Sequence, residues 1–177
     1  MPVLQPPRLL LLPLTRAVIA RRLEAEAFTL PLPGPDGPLG VTFGPEWPGD
    51  PLPVFPGMLA ALVGNESEVA GSFVAVRRDT GEAVGMLGTK GPALPDGAQE
   101  IGYGLSPAVW GQSYATEGVS VLVAYLHTQP DVHAVTAETA VDNSASARVL
   151  TKLGFRPVGR GHSDEDGSLI LWSHAAT

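Results

Sequence analysis

Thirteen of the 18 prolines fall within residues 1–57, and the 27 positions from Pro31 to Gly57 hold nine prolines and six glycines. Proline lacks a backbone donor and fixes φ, so no long helix runs through such a stretch, and strands there are confined to edges. A chain this rich in proline and glycine is either disordered or carries one irregular segment inside a folded domain. The composition decides for the second. Hydrophobic residues make up 44% and charged residues 16%, enough apolar surface to offset the entropy of ordering. Pro31–Gly57 shows no clear period and reads as a long, ordered loop that Phe43, Trp47 and Phe55 give something to pack.

The 177 residues suit one domain spanning 1–177. There is no cysteine, which excludes disulfides, thiolate metal sites and cysteine nucleophiles. The net charge of −7 and pI near 4.9 argue against nucleic acid or an anionic membrane as a partner. No apolar run is long enough to cross a bilayer, and Leu9–Leu14 is too short for a signal-peptide core, so a cytoplasmic location is expected. His127, His133, His162 and His174 lack metal-ligand spacing, and no metal is expected.

Arg8–Leu14 reads as a buried first strand that Pro13 ends or marks as an edge. Thr15 is an N-cap for a helix to about Phe28, with Val18, Ile19 and Leu23 on its apolar side. After the proline-rich stretch, Met58–Val63 predicts a short helix. Phe73–Arg77 and Ala83–Lys90 form a hairpin about Asp79-Thr80-Gly81. Glu100–Leu105 is the next strand, followed by a turn at Pro107–Gly111 and a helix over about Ala115–Thr128. Ala134–Thr139 is a strand. Asn143 and Ser144 open a helix that Gly154 stops, and Phe155–Gly159 and Leu169–Trp172 close the chain as strands. The order predicts an α+β, mixed α/β fold on one central sheet.

Two segments carry chemistry. In Glu100–Glu117 a strand leads through a glycine-bearing turn into a helix whose first amides lack intrahelical partners. Such an end is either an ordinary strand-to-helix turn or a site for a pyrophosphate. In Asp142–Phe155, Asn143 and Ser146 stand at the start of a helix, where they act as caps. Arg148, Lys152, Arg156 and Arg160 then form a basic patch in an acidic protein, which suits an anionic ligand.

Together these segments resemble the GCN5-related N-acetyltransferase (GNAT) superfamily, and within it the ribosomal-protein N-terminal acetyltransferase branch. The resemblance rests on Glu100-Ile101-Gly102-Tyr103-Gly104-Leu105, on Trp110-Gly111-Gln112-Ser113-Tyr114-Ala115-Thr116-Glu117, on Asn143-Ser144-Ala145-Ser146-Ala147-Arg148-Val149-Leu150 and on Lys152-Leu153-Gly154-Phe155. It covers roughly residues 70–160. It implies a twisted, mostly antiparallel sheet with a splayed strand pair and about four helices. Residues 1–70 would supply acceptor-side helices and the proline-rich loop, and residues 71–177 the acetyl-CoA-binding core and C-terminal hairpin.

The resemblance also implies roles. Acetyl-CoA would pair its pantetheine with backbone near Leu105 and rest its pyrophosphate on amides of Gln112, Ser113, Tyr114, Ala115 and Thr116. Asn143 would hydrogen-bond the pantetheine, with Ser146 nearby. Ser113 departs from the family pattern, which has glycine at that place. The reaction implied is acetyl transfer to a primary amine of a small molecule or peptide, in a ternary complex, by a monomer or homodimer. Glu100 is the candidate base by position, and Glu138 on the neighbouring strand is the second. Many relatives carry a tyrosine acid where this chain has Leu150, so a noncatalytic acyl-CoA-binding or sensing module is the alternative. Phe43, Trp47 and Phe55 line an acceptor pocket or pack under the loop.

Overall fold

Four leucines in a row open the first strand, β1 (Leu9–Thr15), and Leu9, Leu11 and Leu12 are fully buried. The computed structural model describes residues 1–64 and 67–175, which form two compact units. The first comprises Met1–Gly88 with Tyr103–Gly118, and the second Thr89–Gly102 with Val119–Thr177.

In the first unit β1 pairs antiparallel with β4 (Glu68–Arg77), and β4 with β5 (Glu82–Thr89). Pro13 stays inside β1, opposite Phe73, and the register slips between it and Thr15. That is the irregularity a missing donor produces. Helix α1 (Arg16–Glu24) starts as expected, with Thr15 Oγ1 accepting from the Val18 amide at 3.3 Å. It stops four residues before Phe28. Leu23 is exposed rather than apolar-facing, and Arg22 takes the inward position beside Val18 and Ile19. The chain turns extended at Ala25 because Phe28 is needed in a strand.

That strand corrects the reading of Pro31–Gly57 as a long loop without period. β2 (Phe28–Gly34) and β3 (Gly37–Phe43) form a hairpin in continuous register from Phe28↔Phe43 to Gly34↔Gly37. Phe28 and Leu32 point inward from β2, and Val41 and Phe43 from β3, while Pro31 and Pro33 fall at exposed positions. The period of two is present, but it runs through prolines. β3 continues into a two-residue parallel pairing of Thr42 and Phe43 with Glu82 and Ala83. A 3₁₀ turn at Leu52–Val54 leads to helix α2 (Phe55–Ala61), three residues earlier than expected.

An aromatic row holds this unit. Phe28 stacks on Phe43 at 4.6 Å, Phe43 meets Trp47 edge-on at 4.7 Å, and Trp47 lies 5.5 Å from Phe55. The Trp47 indole donates to the Gly85 carbonyl at 2.9 Å. Arg22, 8% exposed, donates to the carbonyls of Trp47, Pro45 and Ala25. Hydrogen bonds from a charged donor contribute about 1.5–3 kcal/mol each, so Arg22 is a main anchor of this proline-rich turn.

In the second unit β6 (Ala98–Leu105) contributes its first half. Ala98–Ile101 pair in parallel with Ala134–Ala137 of β7 (Ala134–Ala140). β7 pairs antiparallel along its whole length with β9 (Gly167–Ala175), and β9 with β8 (Arg156–Ser163). The order is β6-β7-β9-β8. β8 and β9 both run longer than the sequence suggested. Helix α3 (Tyr114–Leu126), which belongs to this unit from Val119 on, buries Val119, Leu122, Val123 and Leu126. Helix α4 (Ser144–Lys152) is capped by Asn143 and buries Leu150. Gly154 follows it at φ 88°, the left-handed residue that ends such a helix. The fold is thus mixed α/β, with a mostly antiparallel sheet and, among the described residues, four α-helices.

His127 and His174 meet in this unit at 2.9 Å, Nε2 to Nδ1, and the Nδ1 of His127 is buried without a partner. Burial holds the His127 imidazole below its ordinary value of 6.5, and the His174 ring lowers it further. The unfolded chain therefore takes up this proton first as pH falls. The contribution is fully present above about 6.5 and is lost as pH drops through the lowered folded value. Thermal unfolding followed across mildly acidic pH should show falling stability, and His127→Gln should flatten that dependence.

Candidate active site

The β6–α3 turn lies in the first unit. The end of β6 passes through Ser106 into a 3₁₀ turn at Pro107–Val109. The Trp110 indole donates back to the Leu105 carbonyl at 2.8 Å, tying the turn to the strand. Gly111 has φ 74° and Ser113 φ 65°. Ser113 is the one non-glycine residue with positive φ among those described. Two left-handed residues two apart fold the backbone so that α3 starts abruptly at Tyr114. The amides of Tyr114, Ala115 and Thr116 have no carbonyl one turn back within the helix, and Glu117 N is the first to close a turn, onto Ser113 O at 3.1 Å. Gln112 and Ser113 are exposed, Ala115 and Thr116 half-buried, and Tyr114 buried.

Arg8 clamps this turn. Its amide and its Nε donate to the two carboxylate oxygens of Glu117 at 2.6 and 2.7 Å, and its Nη1 donates to the Gln112 carbonyl at 3.1 Å. The guanidinium lies 4.4 Å from the Tyr114 ring centre, with that of Arg77 at 6.0 Å. No local pattern marks either arginine. Arg8 is more than a hundred residues from its partners.

The Leu105 end is closely packed within the same unit. A Cβ on Gly85 would come within 2.3 Å of the Leu105 side chain, and one on Gly104 within 2.8 Å of Pro51. The proline-rich stretch therefore reaches the end of β6 through Gly49 and Pro51. Its three aromatic side chains do not take part. Phe43, Trp47 and Phe55 are at most 1% exposed and packed on one another in the core, so of the two places open to them, an acceptor pocket or the packing under the loop, they take the second. Mutual stacking outweighs lining a solvent-filled pocket.

The second unit holds the carboxylates and the Asn143 segment. Glu100 pairs with Thr136, two residues before Glu138, so strand alternation puts both carboxylates on one sheet face. The registered β6–β7 pairing ends at Ile101↔Ala137, while β7 stays paired to β9 as far as Ala140. Glu138 is exposed. Glu100 is not a free carboxylate. Lys90 Nζ lies 2.8 Å from its Oε1, which is buried and approached by the ammonium outside hydrogen-bond geometry. Asn143 Oδ1 accepts from the Ser146 amide at 3.1 Å, which leaves its amide nitrogen as the group able to donate. Leu150 is fully buried, an interior side chain. Arg148, Lys152, Arg156 and Arg160 are all exposed.

The profile of the acetyltransferase (GNAT) domain matches residues 57–156, more than half of the chain. The protein belongs to the GNAT family. The N-acetyltransferase YoaA of Bacillus subtilis (strain 168), itself uncharacterized, is 36% identical over 83 residues, 47% of each chain. The chain spans about half the length of the curated relatives it matches. The same fold occurs in a GNAT acetyltransferase from Bacillus anthracis, with a TM-score of 0.64 at 17% identity over 98% of both chains. The ribosomal-protein-S5-alanine acetyltransferase from Vibrio fischeri shares it with a TM-score of 0.54 at 24% identity, over 59% of this chain and 60% of that one. The GNAT profile covers both chemical segments, Glu100–Glu117 and Asp142–Phe155, in full.

In this GNAT protein Ser113 holds a conformation that costs an L-residue about 1–2 kcal/mol, against about 0.5–1 kcal/mol of extra chain entropy for glycine. Ser113→Gly should therefore raise the unfolding free energy by roughly 0.5–1 kcal/mol, measured by denaturant titration. Ser113→Val should lower it.

Proposed function

We propose that this protein is an acetyl-CoA-dependent N-acetyltransferase acting on a primary amine, a protein N-terminus or a small amine, in the cytoplasm. The observation that carries the reading is the left-handed pair Gly111 and Ser113, which keeps the first amides of α3 open although a serine replaces the family's glycine. Backbone donors at Gln112–Thr116 suit a pyrophosphate, and the dipole of a 13-residue helix favours its charge. In this proposal Leu105 contributes backbone pairing to the pantetheine, Asn143 donates its amide N–H, and Ser146 lies beside it.

Acetyl-CoA supplies an activated acyl group. The chain supplies position and a proton acceptor. A primary amine reaches neutral pH as an ammonium and must lose a proton before it attacks. Glu100 is the proposed base, because its buried Oε1 has no aligned hydrogen bond. Glu138, on the same face, is the second candidate. Direct attack in a ternary complex needs no covalent enzyme intermediate, consistent with a chain that lacks cysteine.

Buried Leu150 favours a second reading, a noncatalytic acyl-CoA-binding module, because it leaves the leaving thiolate without the hydroxyl that many relatives provide. Release of free thiol from acetyl-CoA, followed over a panel of peptides, polyamines and aminoglycosides, separates the two. Turnover with any acceptor excludes the module, and binding without turnover across the panel favours it. For an active acceptor, Glu100→Gln should lower kcat by about 100-fold. An unchanged rate removes Glu100 from the mechanism.

Asn143 has two separable parts. Asn143→Asp keeps an oxygen to cap α4 and loses the amide donor, so it should raise the KM for acetyl-CoA at nearly constant stability. Asn143→Ala loses both and should also cost about 1 kcal/mol of stability. Equal KM values for Asn143→Asp and the parent would count against the pantetheine contact.

A further inference from the structure

An acceptor amine that gives its proton to a carboxylate base must bring its nitrogen within about 2.6–3.2 Å of that carboxylate. In the second unit a nitrogen of this chain already stands there: Lys90 Nζ, 2.8 Å from Glu100 Oε1. The arrangement is fixed from both ends. The Lys90 amide donates to the Glu100 carbonyl at 2.9 Å, which sets the two residues side by side. The lysine stem crosses Gly102, where a Cβ would come within 3.1 Å of Cε. A glycine at 102 thus leaves room for the stem. Lys90 is 53% exposed at its side chain.

The choice of residue adds to this. The chain has eleven basic residues, and only Lys90 and Lys152 are lysines. An ion pair kept for structure is served at least as well by arginine, whose fork matches a carboxylate and which stays protonated. Lysine is the basic side chain that becomes a nucleophile on losing a proton.

We propose that Lys90 is an internal acceptor: it occupies the position of the substrate amine and is acetylated on Nζ by the acetyl-CoA that this chain binds. The inference rests on the acetyl-CoA reading above. The Lys90 ammonium gives a proton to Glu100. The Nζ lone pair then forms a bond to the thioester carbonyl carbon, the C–S bond breaks, and the sulfur leaves as a thiolate that takes up a proton. One acetyl thioester and one lysine give one acetyl-lysine and one free thiol, with no redox change. The product amide carries no charge. Acetylation therefore ends the ion pair with Glu100 and frees the carboxylate for an external amine.

The test uses the full chain with acetyl-CoA and no acceptor. Peptide mass spectrometry follows acetylation at Lys90 and Lys152 over time, and calorimetry measures acetyl-CoA binding in parallel. Lys152, exposed at the end of α4, is the internal control. Lys90 should react at least about tenfold faster than Lys152, with a rate saturating in acetyl-CoA and independent of protein concentration, as for an intramolecular step. Glu100→Gln should bring Lys90 down to the Lys152 rate. Equal rates at the two lysines in a chain that binds acetyl-CoA would overturn the internal-acceptor role alone. Absence of binding would overturn it together with the reading it rests on. The comparison of two lysines in the parent chain requires no variant to fold.

Discussion

The start of α3 is set by backbone conformation rather than by side-chain chemistry. Gly111 and Ser113 both take positive φ, and the helix can begin at Tyr114 with its amides clear only because they do. Serine pays a conformational cost there that glycine would not. The surrounding structure holds it in place. Trp110 pins the turn to Leu105, Arg8 grips Glu117 and the Gln112 carbonyl, and Tyr114 is sandwiched beneath arginine. The Trp110 contact is local and the Arg8 contacts span more than a hundred residues, so the turn cannot relax without breaking several at once. An ordered turn over-determined in this way is the condition under which strained residues persist.

Charge reinforces that local design. The chain carries a net −7, yet the first turn of α3 has Arg8 and Arg77 against the Tyr114 ring. Glu117 neutralises Arg8 in part, and Asp79 pairs with Arg77 at 2.7 Å. The Arg77 guanidinium, by its hydrogen bond, holds the Asp79 carboxyl below the usual range, and Asp79 in turn raises the arginine. Both lie at the surface, so their value is geometric more than energetic. The two arginines order the end of a helix whose own dipole attracts anions, without making the protein as a whole basic.

Much of this could be read from the chain. Thr15 and Asn143 cap the helices they were expected to cap, because a short polar side chain before an apolar period has few other uses. The β4–β5 hairpin and the β6-turn-α3 order follow from alternation and turn residues. The β2–β3 hairpin did not, because Pro31 and Pro33 stand where polar residues usually mark the outward face. Proline is tolerated there since β2 pairs, among the described residues, with β3 alone. Arg22 was hidden for a related reason: a charged residue on a helix reads as solvent-facing until three carbonyls are found around it. Lys90 and Arg8 carried no local pattern, since each acquires its meaning from a partner fixed by the fold.

The proline-rich stretch shows how the two levels combine. Its prolines restrict the unfolded chain, so less entropy is lost when it orders. Its aromatics are the other half of the balance, since Phe43, Trp47 and Phe55 supply buried area that nine prolines and six glycines cannot. With the rings committed to the core, what the segment offers near Leu105 is backbone and small rings: Gly49 and Pro51 against Gly104 and Leu105. A side chain on Gly104 would meet Pro51, and one on Gly85 would meet Leu105, so these glycines set how closely the strand and the turn approach. Apolar burial orders the turn, and the absence of side chains lets it come within contact of the strand end. A larger aromatic share at the surface would have weakened the core that positions it.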